Sequence, residues 1–281
     1  MEIINFDDIS KELNSPAIII SACRRSGKTF LCRDLLYQIN KNQKFDVCFL
    51  FCETADYNED FEYISDNFKY NKYDEGTLNK IIEKQEECIK RNKKDKDNHP
   101  KVLIVLDDVA SSSELFYSEA ISKLFTLGRH LNLSVIYLTQ HLSSISPKQR
   151  KNADIIIAFK DVNKDNKKTI IKQFMSMNNE KHGEEFYNMV FDEPYKCICI
   201  CVYKIQKSKD LKDFVYYYKS PQIKPKFRLG HPHLWDKSND KKDIKDDKNK
   251  KYTTGVKVDI DIVKEAFKKK RKNDTPSKYI S

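Results

Sequence analysis

The run Pro16-AIIISACRRSGKTF-Leu31 holds the residue types that handle polyphosphate, in the order that chemistry needs. An apolar stretch, Ile18, Ile19 and Ile20, breaks into a loop ending Ser26-Gly27-Lys28-Thr29, and Leu31, Leu35, Leu36 and Ile39 then recur at helical spacing. Strand, loop and helix in this order let backbone N–H groups at a helix start cradle phosphates. Lys28 adds a positive charge and Thr29 a hydroxyl for Mg²⁺. The expected nucleotide-binding residues are Cys23, Arg24, Arg25, Ser26, Gly27, Lys28 and Thr29. The signature G-x-x-x-x-G-K-[ST] has glycine where this chain has Ala22, which alanine tolerates only if the backbone there avoids positive φ. A surface loop with a chance Gly-Lys-Thr is the plainer reading. Arg24 and Arg25 also read as solvated charge.

Asp107 and Asp108 follow Val102-LIV-Leu106, five apolar residues that read as a central strand. The carboxyl ends of such strands are where an open α/β sheet binds ligands. Asp107 is placed to serve a Mg²⁺ ion opposite Thr29, and Asp108 to orient or deprotonate an attacking water. A helix N-cap ahead of Val109-Ala110-Ser111 is the structural alternative. Gln140 closes the run Ser134-VIYLT-Gln140. With that strand between the first and third, its amide reaches the γ-phosphate side; otherwise it is a solvated strand end. Arg129, in Gly128-Arg129-His130, lies away from its own loop and either completes a neighbour's site as a transition-state guanidinium or sits at a helix C-terminus favoured by the dipole.

Positioning these groups requires strands alternating with helices, the pattern of a mostly parallel sheet covered on both faces. Expected strands are 17–22, 45–52, 102–106, 134–140 and 153–160, with two more at the edge, 195–203 and 213–218. Expected helices are 28–40, 77–91, 113–131, 165–177 and 180–190, with a short turn from Ser146-Pro147. Residues 53–75 give no clear pattern. Cys197, Cys199 and Cys201 alternate along one strand face, as buried thiols would, and with no C-x₂-C pair a metal or redox role is the lesser reading. Tyr216, Tyr217 and Tyr218 read as strand packing before a base-stacking platform.

The 281 residues suffice for one α/β domain, 1–220, and an appendage, 221–281. Of the net charge of +10, the appendage supplies +9, with 18 Lys and Arg against 9 Asp and Glu. Its stretch Asp236-KSNDKKDIKDDKNK-Lys251 is low-complexity and expected to be disordered, and Ile260 to Lys272 reads as a short basic helix. Lysine-rich segments neutralise nucleic-acid phosphates, although Lys268-KKR-Lys272 equally reads as a nuclear address or a solvated end. No run approaches the roughly 20 apolar residues of a membrane span, and the acidic N-terminus is unlike a signal peptide. A soluble protein without membrane partners is expected.

Taken together, ISACRRSGKT, VLIVLDD and LGRHLNLSVIYLTQ followed by HLSSI resemble the FtsK–HerA superfamily of P-loop DNA translocases, most closely the poxvirus-type genome-packaging ATPases of large DNA viruses. The resemblance spans about residues 15–160. It implies a P-loop NTPase fold with core strand order 5-1-4-3-2 and extra edge strands. It further implies ATP and Mg²⁺ as cofactors, Lys28 and Thr29 on phosphate and metal, Asp107 on the metal, Asp108 on water, Gln140 as phosphate sensor and Arg129 as an intersubunit finger. The implied activity is ATP hydrolysis that drives double-stranded DNA into a capsid by a ring, expected to be hexameric, with capsid or portal contact. The implied location is host cytoplasm at the assembly site or the virion, with nuclear entry left open. Many superfamily members have glutamate where this chain has Asp108; aspartate favours the virus packaging branch. A nucleotide or nucleoside kinase and a nonhydrolysing, nucleotide-switched DNA-binding scaffold are the competing readings.

Overall fold

Strand β1 (Ala17–Ser21) is buried from end to end, with Ile18, Ile19 and Ile20 shielded on both faces of the sheet. The same holds for β2 (Val47–Cys52), β4 (Val102–Asp107), β5 (Leu133–Thr139) and β6 (Ile155–Phe159). Parallel strands covered on both faces lose the polar alternation of half-exposed sheets, which is why these segments read as unbroken apolar runs. Each fully buried isoleucine contributes about 1.5–3 kcal/mol. The computed structural model describes residues 2–55, 57, 60–91, 99–109, 113–174, 180–221 and 226–235.

Eight strands form one sheet in the order β3-β2-β4-β5-β1-β6-β7-β8, where β3 is the two-residue Lys69–Tyr70, β7 is Lys196–Cys201 and β8 is Val215–Lys219. Its centre, β6-β1-β5-β4-β2, is the 5-1-4-3-2 order expected, all parallel; β7 and β8 extend the β6 edge antiparallel. Ahead of the expected set, helix α1 (Phe6–Glu12) packs on α2 (Lys28–Gln43), and Ile3 forms a single parallel bridge to Tyr217 of β8. Cys197, Cys199 and Cys201 are fully buried, and the Tyr218 hydroxyl donates to Asp34 Oδ2 at 2.5 Å.

Helix α3 (Glu75–Arg91) buries Leu78 and Ile82 as its periodicity predicts. The expected 113–131 helix is instead broken into α4 (Ser113–Tyr117), α5 (Glu119–Leu127) and a 3-10 turn, Gly128–Leu131. Ser118 causes the break: its hydroxyl accepts from Ile121 N and caps α5, while Glu75 of α3 accepts from Ala120 N at 3.1 Å. Buried Ala120, Ile121, Leu124 and Phe125 keep the inward face expected of them. Short α6 (Pro147–Lys151) starts with a Ser146/Gln149 capping box. Beyond β6, α7 (Lys164–Thr169) runs into a π-helical turn, Ile170–Phe174, and α8 (Glu180–Val190) leads to β7.

The appendage starts folded. Residues 226–235 lie as a strap against the sheet's β2 side: Phe227 stacks on Tyr63 at 4.9 Å, Leu229 N donates to Tyr63 O, His231 N to Asp46 O, and Ser65 Oγ to Leu234 O. Leu229 and Leu234 are buried. The low-complexity stretch 236–251 and the basic segment 260–272 lie outside the described residues.

Candidate active site

Sheet order alone carries three distant segments to one edge. Ser21 is level with Thr139, and Asp107 with Leu138, so the loop after β1, the aspartates after β4 and Gln140 after β5 emerge side by side. Ala22 prolongs the strand, its N–H donating to Thr139 O at 3.0 Å, and it takes no positive φ. That removes the steric objection to alanine at this point of the loop. The left-handed turns fall later, at Arg25 (φ 61°) and Gly27 (φ 90°). Gly27 is the N-cap of α2 and supplies no side chain to its first turn, leaving those N–H groups directed at the loop.

Lys28 is the hub. Its Nζ lies 2.5 Å from Asp108 Oδ1 and 3.3 Å from Asp107 Oδ1, and the lysine is buried. Gln140 Nε2 donates to the other Asp108 oxygen at 3.2 Å. Asp108 takes φ 47°, a left-handed conformation that aspartate adopts more readily than most side chains, and this turns the chain out of the strand at the carboxylate. Both Asp108 oxygens are thus engaged across the site, and the next described helix begins only at Ser113.

Asp107 is held differently. Its side chain is 8 % exposed, Cys52 Sγ approaches Oδ2 at 3.6 Å, and Oδ1 faces the lysine without a well-aligned hydrogen bond from the described residues. Burial pushes its carboxyl above the usual range; Lys28 opposes this and Asp108 adds to it. One ammonium between two carboxylates leaves a net charge of −1 in a confined space. A buried carboxylate oxygen lacking a donor is an acceptor that a hard divalent cation or one of its waters would complete, so the residues fit Mg²⁺.

The other expected residues divide. Thr29, half-buried on the first turn of α2, opens on a cleft of about 230 Å³ with Phe30, Arg33, Asp60 and Glu62; Arg33 pairs with Glu62 at 3.2 Å. Ser26 Oγ closes the loop on Cys23 O at 2.7 Å, and Cys23 Sγ faces Asp161 Oδ1 at 3.5 Å. Arg24 and Arg25 are exposed. Arg129 is not part of this cluster. It is exposed ahead of β5, whose seven residues span about 20 Å, and the charge it feels is that of Asp154 at the same sheet end. Gly128 is required there by packing, because a Cβ would fall 2.8 Å from Leu133 O. Sequence reasoning missed Arg33, one turn beyond the motif on α2, and Cys52, Asp161 and Glu62, which come from segments with no motif of their own. Among the described residues no His/Cys/Asp/Glu cluster forms a separate metal site, and no helix is long and apolar enough to cross a membrane.

Comparison with known proteins gives consistent results. The chain is 25% identical over 232 residues to "Uncharacterized protein L437" of Acanthamoeba polyphaga mimivirus, covering 80% of each, and 27% identical over 221 residues to "Uncharacterized protein 075L" of Invertebrate iridescent virus 6, covering 77% of this chain and 82% of that one. Among solved structures, B204, the DNA-packaging ATPase from Sulfolobus Turreted Icosahedral Virus, superposes with a TM-score of 0.53 at 16% identity, covering 75% of this chain and all of B204. The cytoplasmic domain of the Thermomonospora curvata Type VII Secretion ATPase EccC gives 0.50 at 12% identity, over 73% of this chain and 25% of that one. These structures share the fold, an α/β P-loop NTPase sheet. The Poxvirus A32 protein family matches residues 7–207, and with the loop, the aspartate pair and the strand-end glutamine in place, the chain belongs to that family.

Proposed function

We propose that this protein is an ATP-hydrolysing double-stranded DNA translocase that packages a viral genome into a capsid. The observation that carries the reading is the contact of Lys28, Asp108 and Gln140 at the loop that opens α2. Lys28 exchanges its carboxylate partners for phosphate oxygens when ATP enters, and the N–H groups of the α2 first turn hold the same anion. Asp108, released from the lysine, orients and deprotonates the attacking water. Gln140, one bond from Asp108, links that carboxylate to β5 and senses the γ-phosphate. Thr29 and Asp107 would hold Mg²⁺, which when bound neutralises charge building on the phosphates.

Arg129 lies at the far end of its own sheet, so any part it plays is in a neighbouring subunit, and a ring, hexameric in this reading, supplies that neighbour. Such a guanidinium is worth about 10³–10⁵ in rate. The basic appendage, with its excess of nine positive charges, provides salt-sensitive contact to DNA or to a capsid portal. The work takes place in host cytoplasm at the assembly site or in the virion.

The test is ATP hydrolysis by the full chain at low salt, with and without double-stranded DNA and Mg²⁺. Turnover that requires Mg²⁺ and rises with DNA is expected; equal rates with and without DNA refute the motor, and phosphate transfer to a nucleoside establishes a kinase. Mixing Arg129→Ala with Lys28→Ala subunits is expected to restore part of the activity that each lacks alone, and a mixture with none removes Arg129 from the reaction.

A further inference from the structure

We propose that Tyr195 is the platform on which the nucleobase of the triphosphate stacks, an inference that rests on the nucleotide-binding reading above. Lys28, Asp108 and Gln140 mark the phosphate end of the site on the β4–β5 side of β1, so the nucleoside leaves the loop toward the other neighbour of β1, strand β6. That flank is built by two segments. Asp161, just past β6, meets Cys23 of the loop, and its N–H donates to the Tyr187 hydroxyl at 3.0 Å. Tyr195, just before β7, comes to the same sheet end because Phe159 is paired with Cys197.

The ring is placed for a ligand more than for the core. Tyr195 is 65% exposed, yet its Cδ1 lies 3.5 Å from where a Cβ on Gly27 would sit, so the ring borders the phosphate loop with open surface beside it. Its backbone has φ 62°, a conformation costly for a bulky aromatic residue. Packing does not recover that cost, because little of the ring is buried. A flat π-face next to a triphosphate-binding turn matches the chemistry of a nucleobase, purines above pyrimidines by their larger surface.

The experiment measures, by calorimetry on the full chain, the affinities of wild type, Tyr195→Gly, Tyr195→Ala and Tyr195→Phe for ATP and for inorganic tripolyphosphate. Glycine accepts the left-handed turn, so that variant keeps the loop and removes only the ring. Loss of ATP affinity by about 5- to 150-fold in the glycine and alanine variants, the usual worth of one base–aromatic stack, is expected. Tripolyphosphate binding stays at the wild-type value, and Tyr195→Phe rescues ATP binding. Wild-type-like ATP affinity in Tyr195→Gly, or parallel loss of both ligands, overturns the platform while leaving the nucleotide site standing. Failure of the wild type itself to bind ATP removes the site, and the platform with it.

Discussion

Replacing Asp107 by asparagine should make this protein more stable and less active at once. The carboxylate is almost wholly buried, and its raised pKa means that the folded state disfavours its charged form relative to water. Attraction to Lys28 at 3.3 Å amounts to about 5 kcal/mol at an effective dielectric constant of 20. Against this stand a desolvation cost of several kcal/mol and the adjacent Asp108 charge, and the upward shift says that these prevail. A net gain of about 1 kcal/mol on neutralisation is typical of relieving such a site. For a fold of this size that raises Tm by about 2–4 °C. The sign with pH is definite: with its folded pKa above 3.8, Asp107 holds its proton longer in the native state than in the unfolded one. Wild-type stability contributed by this group therefore falls as pH rises from 3.8 through the folded pKa and stays low at neutral pH, a slope absent from Asp107→Asn. Lys28 keeps its shorter contact with Asp108 in the variant, so the triad does not leave a buried cation alone. Thermal melts of both proteins between pH 4 and 7, with ATP turnover alongside, make the assay. Turnover should drop at least about tenfold if asparagine cannot serve the metal. A lower Tm in the variant, or the same pH slope in both proteins, refutes this account of the aspartate.

Two other perturbations test the framework around the site. Gly128→Ala puts a methyl 2.8 Å from Leu133 O, a backbone atom that cannot swing away, so a loss of about 1–3 kcal/mol is expected and a melt indistinguishable from wild type contradicts the close approach. Ending the chain at Ser220 removes the strap; burial of Leu229 and Leu234 alone is worth about 3 kcal/mol or more, so that chain should melt clearly below one ending at Trp235, which keeps the strap. Equal melting of the two truncations would show that the strap contributes nothing.

What could be read from the residues follows from how local the cause is. Ile18–Ile20 and Val102–Leu106 declare themselves because a strand covered on both faces is apolar at every position, and Gly27-Lys28-Thr29 because its chemistry is written in consecutive residues. The segment 53–75 gave no pattern because its order comes from elsewhere: Tyr70 stacks on Phe51, Phe68 meets Phe49 edge-on, and Tyr63 stacks on Phe227, more than 160 residues later in the chain. The break at Ser118 was invisible for a related reason. Serine is tolerable inside an exposed helix and becomes a cap here because Tyr73, just ahead of α3 and donor or acceptor to its hydroxyl at 2.7 Å, and Glu75, first residue of α3 and acceptor from Ala120 N, approach it.

The strap extends the same logic to the chain's charge. Residues 226–235 show neither helical nor strand period because a single pass over a surface needs none; side chain-to-backbone bonds such as Ser65 Oγ to Leu234 O and Trp235 Nε1 to Leu229 O hold it. It fastens onto Tyr63 and Ser65, next to Glu62, which pairs with Arg33 in the cleft where Thr29 opens. The strap is therefore bonded to residues adjoining the cleft that Thr29, Arg33 and Glu62 line.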